Sequence, residues 1–144
     1  MVKDKLNILF DINVILDVLQ ERPGFYDHSA QAVALVETGI IIGWLAAHTI
    51  TTLFYLISKD RSPGQAKVTI TGLLNYFKIA PLDHQTIEQA LNLPYRDFED
   101  AVQMIAASRI SADYLVSRNV QDFQPELVKV ISPATFIPFL RKNL

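Results

Sequence analysis

The chain has 144 residues, with 13 Lys plus Arg against 15 Asp plus Glu and a formal charge of −2. That length suits one domain spanning residues 1–144 with a substantial core. The near balance of charge excludes the basic footprint of an avid, nonspecific nucleic-acid binder, though not a small basic rim around an acidic pocket. The absence of cysteine excludes disulfides and thiolate metal sites, and it is compatible with a reducing cytoplasm. Half of the residues are hydrophobic and the mean hydropathy is +0.21, a surplus that points to self-association or a partner surface.

The first organised stretch, residues 6–19, is an apolar run that stops at Asp11 and resumes as an apolar-periodic segment after Asn13. This pattern predicts a buried strand leading into a short helix over residues 13–19. Residues 6–9 are too short a run for a signal-peptide core. Asp11 either caps the new helix or stands at the carboxyl end of a parallel strand, where ligands gather. Pro23 and Gly24 break the helix, and helical spacing returns over residues 29–37 until Gly39 ends it. Residues 40–45 are β-branched and free of charge, the pattern of a second buried strand, and a helix is predicted over residues 49–59. The charge-free segment 38–58 divides into this strand and helix, so a membrane span is not expected.

Residues 60–64 form a turn by composition, followed by helical spacing over 65–77 and a short strand near 78–82. Asp83 is expected to cap a helix that continues over 86–91. Residues 97–107 carry the strongest helix signal, with acids in the first turn and an alanine-rich interior. Strands are predicted at 114–116 and 128–131, with a polar loop at 117–122, and Pro133 opens a C-terminal helix. Alternating strands and helices imply a three-layer α/β/α sandwich around a central parallel sheet.

In such a sheet the loops following strands lie on one edge, so Asp11 and Asp122 share a side. Asp97 and Asp100 are three apart and face the same crevice. Clustered carboxylates repel unless protons or cations intervene, and oxygen donors favour Mg²⁺ or Mn²⁺ over zinc. Such a site suits hydrolysis of a phosphodiester. The competing reading makes Asp97, Glu99 and Asp100 complements of a helix dipole and Asp122 a solvated turn residue. Arg22, Arg96, Arg109 and Arg118 are candidate phosphate contacts. The three histidines lack ligand spacing and read as structural.

Three motifs bear on this choice: Phe10-Asp11-Ile12-Asn13-Val14-Ile15-Leu16-Asp17, Asp97-Phe98-Glu99-Asp100-Ala101, and Val116-Ser117-Arg118-Asn119-Val120-Gln121-Asp122-Phe123. In order and spacing the chain resembles the PIN-domain nucleases, including the VapC-type toxins of bacterial toxin–antitoxin pairs. The resemblance implies Mg²⁺- or Mn²⁺-dependent cleavage of RNA, an antitoxin partner, a homodimer and a cytoplasmic location. It makes Asp11, Asp100 and Asp122 the metal carboxylates and Asn13 a residue that steadies them. Asn119 falls where many relatives carry Asp, and Thr52 where many carry a helical Glu. These two neutral positions leave less charge to hold a cation. Asp17, Asp97 and Arg118 are supporting candidates, Asp17 and Asp97 also reading as surface residues. Two rivals are a catalytically weakened PIN-like module that binds RNA or protein, and a receiver-like phosphoacceptor. Ser132 before Pro133, where the latter wants lysine, argues against the second.

Overall fold

The computed structural model describes residues 5–143. Its centre is a five-stranded, all-parallel sheet of β1 (Asn7–Phe10), β2 (Ile42–Ala46), β3 (Phe77–Ala80), β4 (Tyr114–Val116) and β5 (Val130–Ile131) in the order β3-β2-β1-β4-β5. Seven α-helices among the described residues join and cover the strands. They are α1 (Ile12–Leu19), α2 (Tyr26–Glu37), α3 (Ala47–Asp60), α4 (Pro63–Leu74), α5 (His84–Leu91), α6 (Phe98–Arg109) and α7 (Pro133–Asn143). This is the three-layer α/β/α arrangement expected from the alternation of strands and helices.

The two faces of β1 divide the core. Ile8 and Phe10 pack with residues of α1, α2, α3 and α7, including Val14, Val36, Leu53 and Phe136. Leu9 points the other way and packs with Leu115 and with Met104, Ala106 and Ala107 of α6. Strand side chains alternate between faces, so one apolar run feeds both layers. The chain reverses direction once: β1 has later strands on both sides, and the ends of β2 and β4 therefore flank the end of β1.

Several boundaries differ from those predicted, each for a local reason. Helix α4 stops at Leu74, where Asn75 and Tyr76 donate to the Gly72 and Leu73 carbonyls in a tightened last turn. Phe77, predicted as the end of that helix, instead begins β3 and stacks edge-on against Phe10 at 5.5 Å. Strand β2 starts only at Ile42, because Gly39 takes a positive φ of 77° and Ile40 and Ile41 donate back to Leu35. Helix α2 begins at Tyr26, three residues before the predicted start, and β5 is confined to Val130–Ile131. Among the described residues no helix is long and apolar enough to cross a membrane.

Gly43 is the one glycine that close packing demands. A Cβ there would stand 2.7 Å from Val36 Cγ2 and 2.8 Å from Phe77 Cε1. Gly43→Ala should therefore cost about 1–3 kcal/mol through overpacking between α2 and β3. A urea titration reads this as a lower midpoint, and an unchanged midpoint would show that the layer yields freely.

Candidate active site

Asp11 follows β1 directly, and its backbone N–H continues the sheet by donating to the Val116 carbonyl at 2.9 Å. It occupies the N-cap position of α1, yet its side chain accepts no capping bond. Instead, Asp11 is buried and its two oxygens reach away from the helix. Gln103 Nε2 donates to Oδ1 at 2.7 Å, and Ser117 Oγ donates to Oδ2 at 2.9 Å. The Asp11 side chain thus does not cap α1. Both donors are neutral, so they fix the carboxylate without cancelling its charge.

Helix α6 brings the next acids. Asp97 is its N-cap and accepts from the Glu99 N–H at 2.8 Å, as the dipole argument expects. Asp97 also lines a cleft of about 420 Å³ together with Asp100, Asp122, Tyr95, Arg96 and Gln121. Asp122 closes a short 3-10 turn, Val120–Asp122, with its N–H donating to Asn119 at 3.0 Å. Burial, and then the charges of Asp97, Asp11, Asp122 and Glu99, push the Asp100 carboxyl up to about 7. The same cleft raises the Tyr95 phenol to about 12, through burial and then Asp100 and Glu126. Asp11, Asp100 and Asp122 therefore feel one another's fields at one edge of the sheet.

The remaining candidates fall in different places. Asn13 Oδ1 accepts from Arg22 Nη1 at 3.3 Å, so its amide is tied to the α1–α2 turn. Asn119 donates its N–H to Ser117 Oγ at 3.1 Å and so helps aim the hydroxyl that holds Asp11. Thr52 Oγ1 donates to the His48 carbonyl one turn back, at 3.0 Å, which turns it onto its own helix. Asp17, expected at the surface, is fully buried. Ser29 Oγ donates to its Oδ2 at 3.1 Å, and the Arg22 and Arg118 guanidiniums each stand 3.6 Å from its Oδ1. Its aspartate charge is matched by cations, where that of Asp11 is not. Arg109 binds Asp83 and Thr86 and holds the Asp83 carboxyl near 2, after the Thr86 N–H.

Two site residues escaped the sequence reading. Gln103 is buried with its Oε1 unpartnered, and it looked like one more residue of an alanine-rich helix. His48, read as a satisfied structural histidine, instead has a buried Nδ1 with no partner. Burial holds its pKa below the ordinary value, while Glu99 and Asp11 pull it upward. A usable signal existed: His48 lies two residues past the end of β2, the same kind of position that singled out Asp11.

Among the described residues no three carboxylates or imidazoles are drawn together tightly enough to chelate an ion on their own. The donor chemistry nonetheless fits a hard cation. Mg²⁺ commonly keeps several waters and takes only one or two carboxylates, and each Asp11 oxygen has a further lone pair beyond its one accepted bond. The orphaned Gln103 Oε1 beside them is an acceptor suited to an ordered water.

A parallel sheet with carboxylates gathered at the carboxyl ends of its strands defines the class of α/β domains whose site is built at a crossover point. The family model described as PIN domain matches residues 7–121, and the chain belongs to that family. It is 25% identical to Ribonuclease VapC1 of Aquifex aeolicus (strain VF5) over 126 residues, which covers 83% of this chain and 86% of that protein. Among solved structures, VapBC2 from Rickettsia felis bound to a promoter DNA fragment is similar with a TM-score of 0.69 and 14% identity. That match covers 88% of this chain and 98% of the other. FitAcB from Neisseria gonorrhoeae is similar with a TM-score of 0.65 and 22% identity, over the same shares. These structural likenesses establish the fold.

The raised Asp100 carboxyl has a consequence for stability. In the unfolded chain it titrates near 3.8, and in the fold near 7. Between those values the folded state binds the extra proton, so this group's contribution to stability falls as pH rises from about 4 to about 7 and is level above that. Asp100→Asn should leave stability at pH 4 unchanged and raise it at pH 8 by roughly 1–2 kcal/mol, after allowance for solvent screening. Metal-free denaturant titrations at the two pH values check this, and equal effects at both would disprove the coupling.

Proposed function

We propose that this chain is a divalent-metal-dependent endoribonuclease that hydrolyses RNA phosphodiester bonds, acting as the toxin of a toxin–antitoxin pair in the cytoplasm. The observation that carries this reading is the Asp100 carboxyl, which burial and then the charges of Asp97, Asp11, Asp122 and Glu99 push up to about 7. Support comes also from the likeness to a protein named as a ribonuclease and to toxin–antitoxin complexes. The exposed Tyr55 and Val68, on α3 and α4, are suited to a second copy or an antitoxin.

In this reading Asp11, Asp100 and Asp122 hold Mg²⁺ or Mn²⁺ largely through water. The ion supplies Lewis-acid polarisation of a phosphoryl oxygen and activation of water. The chain's own work is placement. Gln103 and Ser117 hold the Asp11 carboxylate in one orientation, each oxygen keeping a lone pair beyond its one accepted bond. The 3-10 turn presents Asp122 from the neighbouring strand's loop. Asn119 steadies Ser117. Arg96, beside Asp97 at the cleft wall, is placed to meet a phosphate.

One observation favours a second reading, a catalytically weakened module that binds RNA or protein. The Thr52 hydroxyl donates to the His48 carbonyl and brings no charge to a cation site. The two readings differ in a single experiment. With Mn²⁺ and a mixed pool of structured and single-stranded RNAs, the parent should cleave, while Asp11→Asn and Asp100→Asn should fall by at least about a hundredfold. Mn²⁺ should also raise the melting temperature of the parent and not of Asp100→Asn. Absent cleavage and no metal-dependent shift in the parent would establish the binding module instead.

A further inference from the structure

Apart from the acidic cleft there is a hollow of about 180 Å³ lined by Phe25, His28, Ser29, Arg118, Pro133 and Ala134, among others. We infer that this hollow is a nucleotide subsite, in which Arg118 receives a backbone phosphate and Phe25 stacks the adjoining base. The inference rests on the ribonuclease reading and extends it to how the substrate strand is held.

Four observations carry it. First, the place is electropositive. Arg22 and Arg118 both lean on the single buried carboxylate of Asp17, so two guanidiniums face one anion and a positive charge is left over. Arg22 is occupied by Gln20 and Asn13 as well, whereas the Arg118 Nε–H is buried with no acceptor. Arg118 also lines the hollow with a side chain that is 21% exposed, and the planar fork of its guanidinium matches phosphate oxygens.

Second, Arg118 stacks on the Phe25 ring at 4.1 Å, and that ring is 45% exposed. A guanidinium against an aromatic face, with the rest of the ring open to solvent, is the arrangement on which single-stranded bases stack without regard to sequence. An exposed Phe at this position serves no packing purpose among the core residues. Third, the residue before Arg118 is Ser117, whose hydroxyl holds Asp11. Arg118 therefore stands one residue along the β4 loop from a side chain bonded to Asp11. Fourth, α7 opens at the same hollow with Pro133 and Ala134, so the positive end of its dipole reinforces an anion there.

The electrostatic logic is complementary. The acidic cleft repels a polyanion until a cation enters it, so the strand needs a separate attachment that works by attraction. A protein with a net charge of −2 has to concentrate that attraction locally, and the Arg118 hollow is where the described residues do so.

The test measures binding and turnover separately. In an Asp11→Asn background, which removes cleavage, a short fluorescent single-stranded RNA is titrated with and without Phe25→Ala or Arg118→Lys. Each substitution should weaken binding about tenfold, and Arg118→Lys, which keeps the charge and loses the planar fork, should leave the slope of the salt dependence unchanged. In the active protein the same substitutions should raise KM by a similar factor and leave kcat within about twofold. A phosphate titration followed by NMR should move the Arg118 Nε–H resonance in the parent. Arg118→Lys could weaken the hold on Asp17, and Phe25→Ala, at an exposed ring, keeps the test valid if it does. Unchanged binding and KM in well-folded Phe25→Ala overturn the inference while leaving a cleaving parent intact. A parent that neither binds nor cleaves RNA overturns the ribonuclease reading itself and the subsite with it.

Discussion

Burying a carboxylate is costly unless its oxygens find donors, and the two donors to Asp11 determine how this fold's working edge is assembled. One comes from α6 and the other from the loop after β4, so a single side chain ties three elements together at the sheet's centre. The tie imposes a rotation on α6. With Gln103 facing Asp11, Asp100 lies three residues earlier on the same side of the helix and must look into the same space. The apolar face formed by Met104, Ala106 and Ala107 then meets Leu9 and Leu115 of the sheet. Core packing and site geometry are consequences of the same helix orientation.

A second buried carboxylate lies on the same short helix, and the contrast between the two organises the electrostatics. Asp11 is held by an amide and a hydroxyl, which leave its negative charge available to a cation. Asp17 is held by one hydroxyl and two guanidiniums, which more than cancel its charge. Helix α1 therefore separates an acidic half of the edge from a basic half. The near-neutral chain achieves this without a basic domain, because the pairing of a few buried groups sets the local sign of the field.

Much of this could be read in the sequence, for reasons that also explain what could not. The buried strands showed as apolar runs, whereas local position left Asp11 open between cap and site and favoured a dipole role for Asp100, and only the resemblance to a family picked both out. The end of α4 was missed because residues 65–77 keep helical spacing, and the pull of Phe77 into the Phe10 stack is a tertiary contact. Asp17 looked solvated because its partners, Arg22, Ser29 and Arg118, are brought together only by the turn after α1 and by the β4 loop. Gln103 was invisible for the same reason: its bond to Asp11 spans 92 positions. Sequence distance hides the donors more thoroughly than the acids, since a donor has no motif of its own.

The wall contributed by α3 shows how such a site tolerates the loss of a carboxylate. Thr52 cannot replace a helical glutamate, because its hydroxyl is neutral and its one proton goes to the His48 carbonyl. Burial, and then the neighbouring acids, already bring Asp100 up to about 7, and a further carboxylate on α3 would deepen that cost in the metal-free fold. His48 stands on this wall instead, its imidazole kept towards the neutral form by burial against the opposing pull of Glu99 and Asp11. A neutral wall facing an acidic one asks less of folding stability and offers less to a bare cation. The balance of charge at this edge is therefore a compromise between holding an ion and remaining folded without one.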